Sequence, residues 1–335
     1  MSAKKTGVNS LSVLSVDSLN VEFNLNGTYF PAVRDLSLDI KEGETLGLVG
    51  ESGCGKSVTS LALIRLLTKS ARVTGSVQYN GKNLLTLGDK EIRSIRGDEI
   101  SMIFQEPMTS LNPVYKVGAQ ISEILLLHKD MSPKEAFKHS LEMLKKVGIA
   151  RPEQILQSYP HELSGGMRQR VMIAIAMSCD PRLLIADEPT TALDVTIQAQ
   201  ILDLMRKISK EFKTSILLIT HDLGVVAEMC QRVAVMYAGQ IVEQGNVDEI
   251  FMEPQHPYTR GLLAAIPKID AKSKERLRPI DGTVPTITRM PKGCHFAPRC
   301  PFAMDRCRSE KPTLFDVADN HSSRCWLNEE GRRDA

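Results

Sequence analysis

Lys56 and Ser57 close the run GESGCGKS that begins at Gly50, and an ammonium beside a hydroxyl after three glycines suits a polyphosphate. Gly50, Gly53 and Gly55 free the backbone to turn its N–H groups inward, Lys56 can reach terminal phosphates, and the Ser57 hydroxyl can ligate Mg²⁺. Ser52, Cys54 and Val58 complete the wrap around the phosphates. Cys54 lies in this nest of amides beside Lys56 and a helix N-terminus, a setting expected to stabilise its thiolate. A second chemical feature is Asp187–Glu188, which ends the apolar run LLIADE and precedes Pro189. For triphosphate hydrolysis, Asp187 would hold the Mg²⁺ shell and Glu188 would polarise the attacking water as general base.

These groups need rigid supports, and the flanking patterns supply them. Residues 44–49 (ETLGLV) read as a buried strand and 58–67 as a helix, so the loop opens at a helix N-terminus that favours anionic phosphate. Strand patterns also cover 11–16, 100–104, 183–187, 215–220 and 232–238, alternating with helices as a mostly parallel sheet requires. Between about 106 and 180 the periodicity becomes helical, with apolar residues three and four apart in 121–128 and 133–147. The expected fold is α/β, with an inserted helical subdomain. A formal net charge of +2 gives no case for nucleic acid. Apolar stretches such as 171–179 fall short of the roughly 20 residues a membrane helix needs. The N-terminal MSAKKTGVNS leads into a strand pattern rather than a signal-peptide core, so a cytoplasmic location is expected.

A third motif, LSGGM at 163–167 followed by Arg168, Gln169 and Arg170, precedes the Asp187–Glu188 pair. With it the series resembles ATP-binding-cassette (ABC) ATPases: Gln105 looks like the Q-loop, Thr191 to Asp194 (TALD) like the D-loop and His221 like the switch histidine. The resemblance implies a head-to-tail pair of cassettes, with each ATP between the loop at Gly50–Ser57 of one subunit and Ser164, Gly165 and Gly166 of the other. It implies that Gln105 senses phosphate and Mg²⁺, that His221 contacts the γ-phosphate, and that an aromatic stacks on adenine. Phe23 is the choice for that stacker, with Tyr29 and Phe30 as rivals. Cys54 stands where many relatives have Ser, and Met167 where most have Gln; neither change removes a catalytic group.

Prolines at 257, 267, 279, 285, 291, 298, 301 and 312 mark a change of composition after residue 255. A cassette over 12–255 and a separate extension over 256–335 are expected. HPYTRGLLAAIP from His256 and EPMTSLNP from Glu106 resemble the ATPase subunits of bacterial oligopeptide and dipeptide importers. That resemblance implies a second, homologous ATPase in a heterodimer, two transmembrane permeases, an external peptide-binding protein and a peripheral place on the cytoplasmic face of the inner membrane. Importers of nickel or another small solute share the pattern, and a soluble ABC ATPase of translation or DNA repair is the rival outside transport. One phosphate loop, one signature motif and no sustained heptads weigh against that rival.

Cys294, Cys300, Cys307 and Cys325 are separated by five, six and seventeen residues, wider than paired zinc ligands and unlike ferredoxin runs. Disulfides, zinc, a cluster and plain packing are all readings the spacing leaves. Reduced cytosolic thiols disfavour disulfides, and the family resemblance implies a [4Fe-4S] cluster held by all four, with zinc as the alternative and His295 and His321 as spare zinc ligands. Because these cysteines lie far along the chain from Gly50–Ser57, their loss is expected to damage the extension before it damages nucleotide binding. Cys179 and Cys230 read as small apolar core residues.

Overall fold

The computed structural model describes residues 12–105, 110–191, 193–266 and 280–329. The first four residues of the EPMTSLNP stretch, Ala192 of TALD and the prolines at 267 and 279 lie outside the described residues. The strands are β1 (Ser12–Leu25), β2 (Thr28–Lys41), β3 (Thr45–Val49), β4 (Ala71–Tyr79), β5 (Lys82–Asn83), β6 (Ile100–Ile103), β7 (Leu183–Asp187), β8 (Ser215–Thr220), β9 (Arg232–Tyr237), β10 (Gln240–Asn246), β11 (Phe315–Ala318) and β12 (His321–Ser323). Two compact units form: one from the described parts of Met1–Ser15, Asp39–Thr45 and Gln78–Ile219, the other from Val16–Leu38, Leu46–Val77 and the described parts of Thr220–Ala335.

In the first unit β6, β7 and β8 run parallel, with Ile100 opposite Leu183 and Leu183 opposite Ser215. Every residue of β7 and β8 is buried, which is why both read as unbroken apolar runs: a parallel strand covered on both faces has no polar side. Four helices, Val117–His128, Pro133–Lys146, Pro152–Gln157 and Gly165–Met177, occupy the region where helical periodicity was expected. Ser132 opens the second as a capping box, accepting from Glu135 N while the Glu135 carboxylate accepts from Ser132 N at 2.8 Å. Gly118 allows the first helix to cross Leu156 closely, since a Cβ there would stand 2.8 Å from the Leu156 carbonyl oxygen.

In the second unit β3 runs parallel to β9, and β10 and β12 continue antiparallel from it. The β9–β10 hairpin turns at Ala238 and Gly239, both at positive φ (45° and 83°), as a two-residue primed turn requires. Pro257 begins a helix, Pro257–Ala264, rather than breaking one, because the first helical position needs no N–H donor and His256 caps it by accepting from Tyr258 N at 3.1 Å. β12 then pairs with β10 through Glu243–Ser323 and Gln244–Ser322.

Candidate functional site

The phosphate loop belongs to the second unit and is seated on the β9–β10 hairpin. A Cβ at Gly50 would collide with the Met236 carbonyl, and one at Gly55, where φ is 108°, would lie 2.8 Å from the Met236 methyl and 3.1 Å from the Ala32 carbonyl. Only glycine lets the backbone pass here. Gly239 N donates to Cys54 O at 2.9 Å, fixing loop to hairpin. The helix Lys56–Leu63 follows directly, with Gly55 as its cap. Lys56 is 5% exposed, and its ammonium donates back to the carbonyls of Gly50 (2.7 Å) and Glu51 (3.1 Å). Ser57 is half-buried and Ser52 and Gly53 are exposed, at the open side of the loop. β2 passes the loop at Ala32, near the rival stackers Tyr29 and Phe30 on the same strand, while Phe23 is half-buried on β1.

Cys54 corrects an expectation. Its thiol is 1% exposed, and burial raises its pKa more than Lys56, with Nζ 4.0 Å away, lowers it. The thiol faces inward toward Gly50, so it remains protonated and sheltered rather than reactive.

In the first unit, Asp187 ends β7 and is 3% exposed. Glu188 follows in the left-handed region at φ 47°, where its N–H donates to Ile219 O at 2.9 Å. A non-glycine residue held there is strained, and the strain turns its carboxylate off the strand direction. The Glu188 Oε2 accepts from Gln105 Nε2 (3.1 Å) and from the Thr191 hydroxyl (2.8 Å). Thr191 is the residue whose role sequence reasoning missed; its position three residues after Glu188, within reach of a tight turn, was the available signal. Asp194 caps the helix Val195–Phe212 by accepting from Ile197 N at 2.9 Å.

The signature helix runs Gly165–Met177, with Ser164 as cap accepting from Met167 N at 3.4 Å. Ser164 and Gly165 are exposed. Gly166 fits closely against Ile197, which a Cβ would approach to 2.9 Å. Arg170 donates to Val147 O (2.6 Å) and Gln200 (3.0 Å), bracing this helix from two sides. In the second unit the exposed His221 follows β8, and Asp222 caps the helix Leu223–Met229 by accepting from Gly224 N at 2.8 Å.

The four late cysteines, all reduced, line one narrow cavity together with His256, Pro257, Phe296 and Trp326. Burial raises three of these thiols: Cys294 is pushed up to about 11 and Cys325 to about 12, and Cys300 moves in the same direction. Four thiolates on a single zinc would stand about 3.8 Å apart, as tetrahedral bonds of about 2.3 Å require, and no group of three or more ligating residues among the described residues is arranged to hold one metal ion. Each spare zinc candidate has one ring nitrogen engaged, while the buried Nε2 of His295 has no hydrogen-bond partner. His321 Nε2 lies 2.8 Å from Glu243, and His295 Nδ1 lies 3.1 Å from Ala238 O. Cys179 (2% exposed) and Cys230 (9%) are buried as expected.

Though far along the chain, the extension touches the phosphate loop. Arg299, one residue before Cys300, makes a two-pronged ion pair with Glu51 of the loop at 2.6 and 3.0 Å, and Tyr258 OH accepts from Glu51 N at 2.9 Å. Chain separation did not predict this because β9, β10 and β12 bring the ends of the chain together.

Comparison with known proteins agrees with these constellations. A family model described as "ABC transporter" matches residues 33–191, and one described as "Oligopeptide/dipeptide transporter, C-terminal region" matches 242–307. The chain is 54% identical to the oligopeptide transport ATP-binding protein AppD of Bacillus subtilis, over 95% of this chain and 98% of that one. It is 54% identical to the dipeptide transport ATP-binding protein DppD of the same organism, over 95% of each chain. It is 52% identical to the oligopeptide transport ATP-binding protein OppD of Escherichia coli, over 90% and 89%. Among solved structures, a dimeric ATP-binding cassette in a post-hydrolysis state with ADP and Pi superposes with a TM-score of 0.63 at 28% identity, over 70% of this chain and 98% of that one. The chain therefore belongs to the ABC transporter ATPases, in the branch that carries the oligopeptide/dipeptide-transporter C-terminal region.

Proposed function

We propose that this ATPase is the energy-coupling subunit of an importer for oligopeptides or dipeptides. The observation that carries the chemistry is the Glu188 carboxylate, turned by its left-handed backbone and oriented by two uncharged donors, Gln105 and Thr191. The two hydrogen bonds fix the direction of this carboxylate, which positioning an attacking water demands. Gly50 to Val58 wrap the phosphates with backbone N–H groups, and Lys56 leaves its carbonyl partners for the terminal phosphates. Ser57 and Asp187 have the oxygen donors that suit Mg²⁺, which when bound neutralises phosphate charge. His221 contacts the γ-phosphate, Phe23 or a neighbouring aromatic of the β1–β2 hairpin stacks on adenine, and Ser164, Gly165 and Gly166 close on the ATP of a partner cassette through a helix N-terminus.

ATP binding then closes the cassette pair, two permeases follow through their helical-subdomain contacts, and hydrolysis resets the pair. No helix among the described residues is long and apolar enough to cross a membrane, in keeping with a peripheral subunit at the inner face of the cell membrane. The four cysteines are proposed as ligands of a [4Fe-4S] cluster, as the family resemblance implies, and what supports this is that all four line one cavity. Such a cluster would tie the segments carrying Cys294, Cys300, Cys307 and Cys325 together.

The test is uptake by the purified transporter in vesicles. ATP-driven accumulation of labelled di- to pentapeptides is expected, and accumulation of nickel without peptide would reassign the solute. Anaerobically purified protein should contain about four iron and four sulfide per chain; stoichiometric zinc would overturn the cluster.

A further inference from the structure

Glu51 sits inside the phosphate loop and is gripped at four atoms. Its carbonyl accepts from the Lys56 ammonium at 3.1 Å and from Cys54 N at 3.3 Å. Its N–H donates to Tyr258 OH at 2.9 Å, and its carboxylate receives both Arg299 nitrogens at 2.6 and 3.0 Å. Arg299 is itself fully used: Nε donates to Asp281 O at 2.8 Å and Nη2 to Ile280 O at 3.1 Å, and the side chain is 4% exposed against 32% for Glu51. Tyr258 is completely buried against Tyr237 and Phe296, with ring centroids 4.6 and 5.4 Å away. A planar guanidinium held by carbonyls on one edge and a carboxylate on the other leaves little freedom to either.

We propose that Tyr258 and Arg299 are positioning residues for ATP: they hold Glu51, and through its carbonyl the Lys56 ammonium, at the place from which the loop receives phosphate. The C-terminal region is thus part of the nucleotide site without touching nucleotide. Phe296, which packs on Tyr258, and Cys300, which follows Arg299, both line the cysteine cavity, so order in that cavity reaches the loop through two residues.

This inference rests on the reading of Gly50–Ser57 as the phosphate loop, and the experiment separates the two. ATP binding and steady-state hydrolysis are measured on the full chain in its purified transporter for Arg299→Ala, Arg299→Lys, Tyr258→Phe, Glu51→Ala and the Arg299→Ala/Glu51→Ala pair. Lys56→Ala serves as the reference. Arg306→Ala is the control, since Arg306 stacks over Trp326 at 3.5 Å and pairs with Glu310 and Glu329. Arg299→Ala is expected to raise the KM and Kd for ATP about tenfold, a larger effect than on kcat, which converts to about 1.4 kcal/mol. Arg299→Lys should recover part of this, Tyr258→Phe should cost about threefold, and Glu51→Ala should match Arg299→Ala. The double variant should then lose nothing more. Amide exchange should quicken in 50–57 but not in β9, and Arg306→Ala should keep the wild-type KM. Loss of binding by Lys56→Ala with wild-type KM in Arg299→Ala overturns the inference, as does additivity in the double variant. Wild-type binding by Lys56→Ala would instead defeat the phosphate-loop reading. If Arg299→Ala does not fold, Tyr258→Phe and Glu51→Ala decide by the same KM criterion.

Discussion

Glu188 and Glu51 are both half-buried carboxylates beside phosphate-handling motifs, and they are held in opposite ways. Glu188 is oriented by an amide and a hydroxyl, both uncharged, whereas Glu51 is locked by a guanidinium with two hydrogen bonds. Gln105 and Thr191 fix the direction of the Glu188 carboxylate within one strand end, whereas the two-pronged guanidinium ties the Glu51 carboxylate to a segment 248 residues further along the chain. The first arrangement suits a proton acceptor and the second a strut.

The sharpest way to break the comparison is to remove each function in turn. Glu188→Gln keeps shape and loses the base, so kcat for ATP should fall by about 10³ while ATP binding persists, within the range general-base catalysis contributes. A variant hydrolysing at near wild-type rate would take Glu188 out of that role. Thr191→Ala leaves the base and removes one of its orienting donors, so a loss of about fivefold in kcat with KM unchanged is expected, roughly the worth of one neutral hydrogen bond. Equal losses in KM and kcat would mean that Thr191 supports the fold instead.

The strut side should announce itself through pH. Burial lowers His256 and His295 to about 4, from the ordinary 6.5. Between those values the unfolded chain binds more protons than the folded one, so stability is complete above about 6.5 and falls as pH drops toward 4, by up to about 1.4 kcal/mol per pH unit for each histidine. Glu243 acts in the same direction but at lower pH, its contribution being lost only below the ordinary glutamate value of about 4.5. Burial alone would raise its carboxyl, but His321 and the N–H groups of Gln255 and His256 outweigh that and hold it below the usual range. Thermal melts of the full chain from pH 7 to 4.5 should show the decline, and His295→Gln should flatten it; a melting temperature that is level over this range would contradict the buried neutral state. The smallest effect concerns Cys54: maleimide labelling of the folded protein should be slow with or without nucleotide, since the thiol is enclosed and protonated. Rapid labelling quenched by ATP would restore the reactive-thiolate expectation.

Much of the nucleotide chemistry was legible because it is local. Gly50, Gly53, Gly55, Lys56 and Ser57 act through backbone turns and a helix start spanning a few residues, and Asp187 and Glu188 share one strand end. The strands β7 and β8 were equally plain, since burial on both faces demands uninterrupted apolar runs. Cys54 was misjudged because amides and Lys56 can be read from neighbours in the chain, but the desolvation that overrides them comes from packing on the β9–β10 hairpin.

Sequence by itself therefore determined the ligand class, the order of the motifs and the family, all of which depend on residues close together along the chain. Only the tertiary structure decided what holds them. It placed Thr191 on Glu188, turned Lys56 onto the carbonyls of Gly50 and Glu51, gathered four widely spaced cysteines on one cavity, and set Arg299 and Tyr258 against Glu51. Those contacts join residues up to 248 positions apart. Their partners are chosen by strand pairing and burial, which no local pattern of residue types encodes.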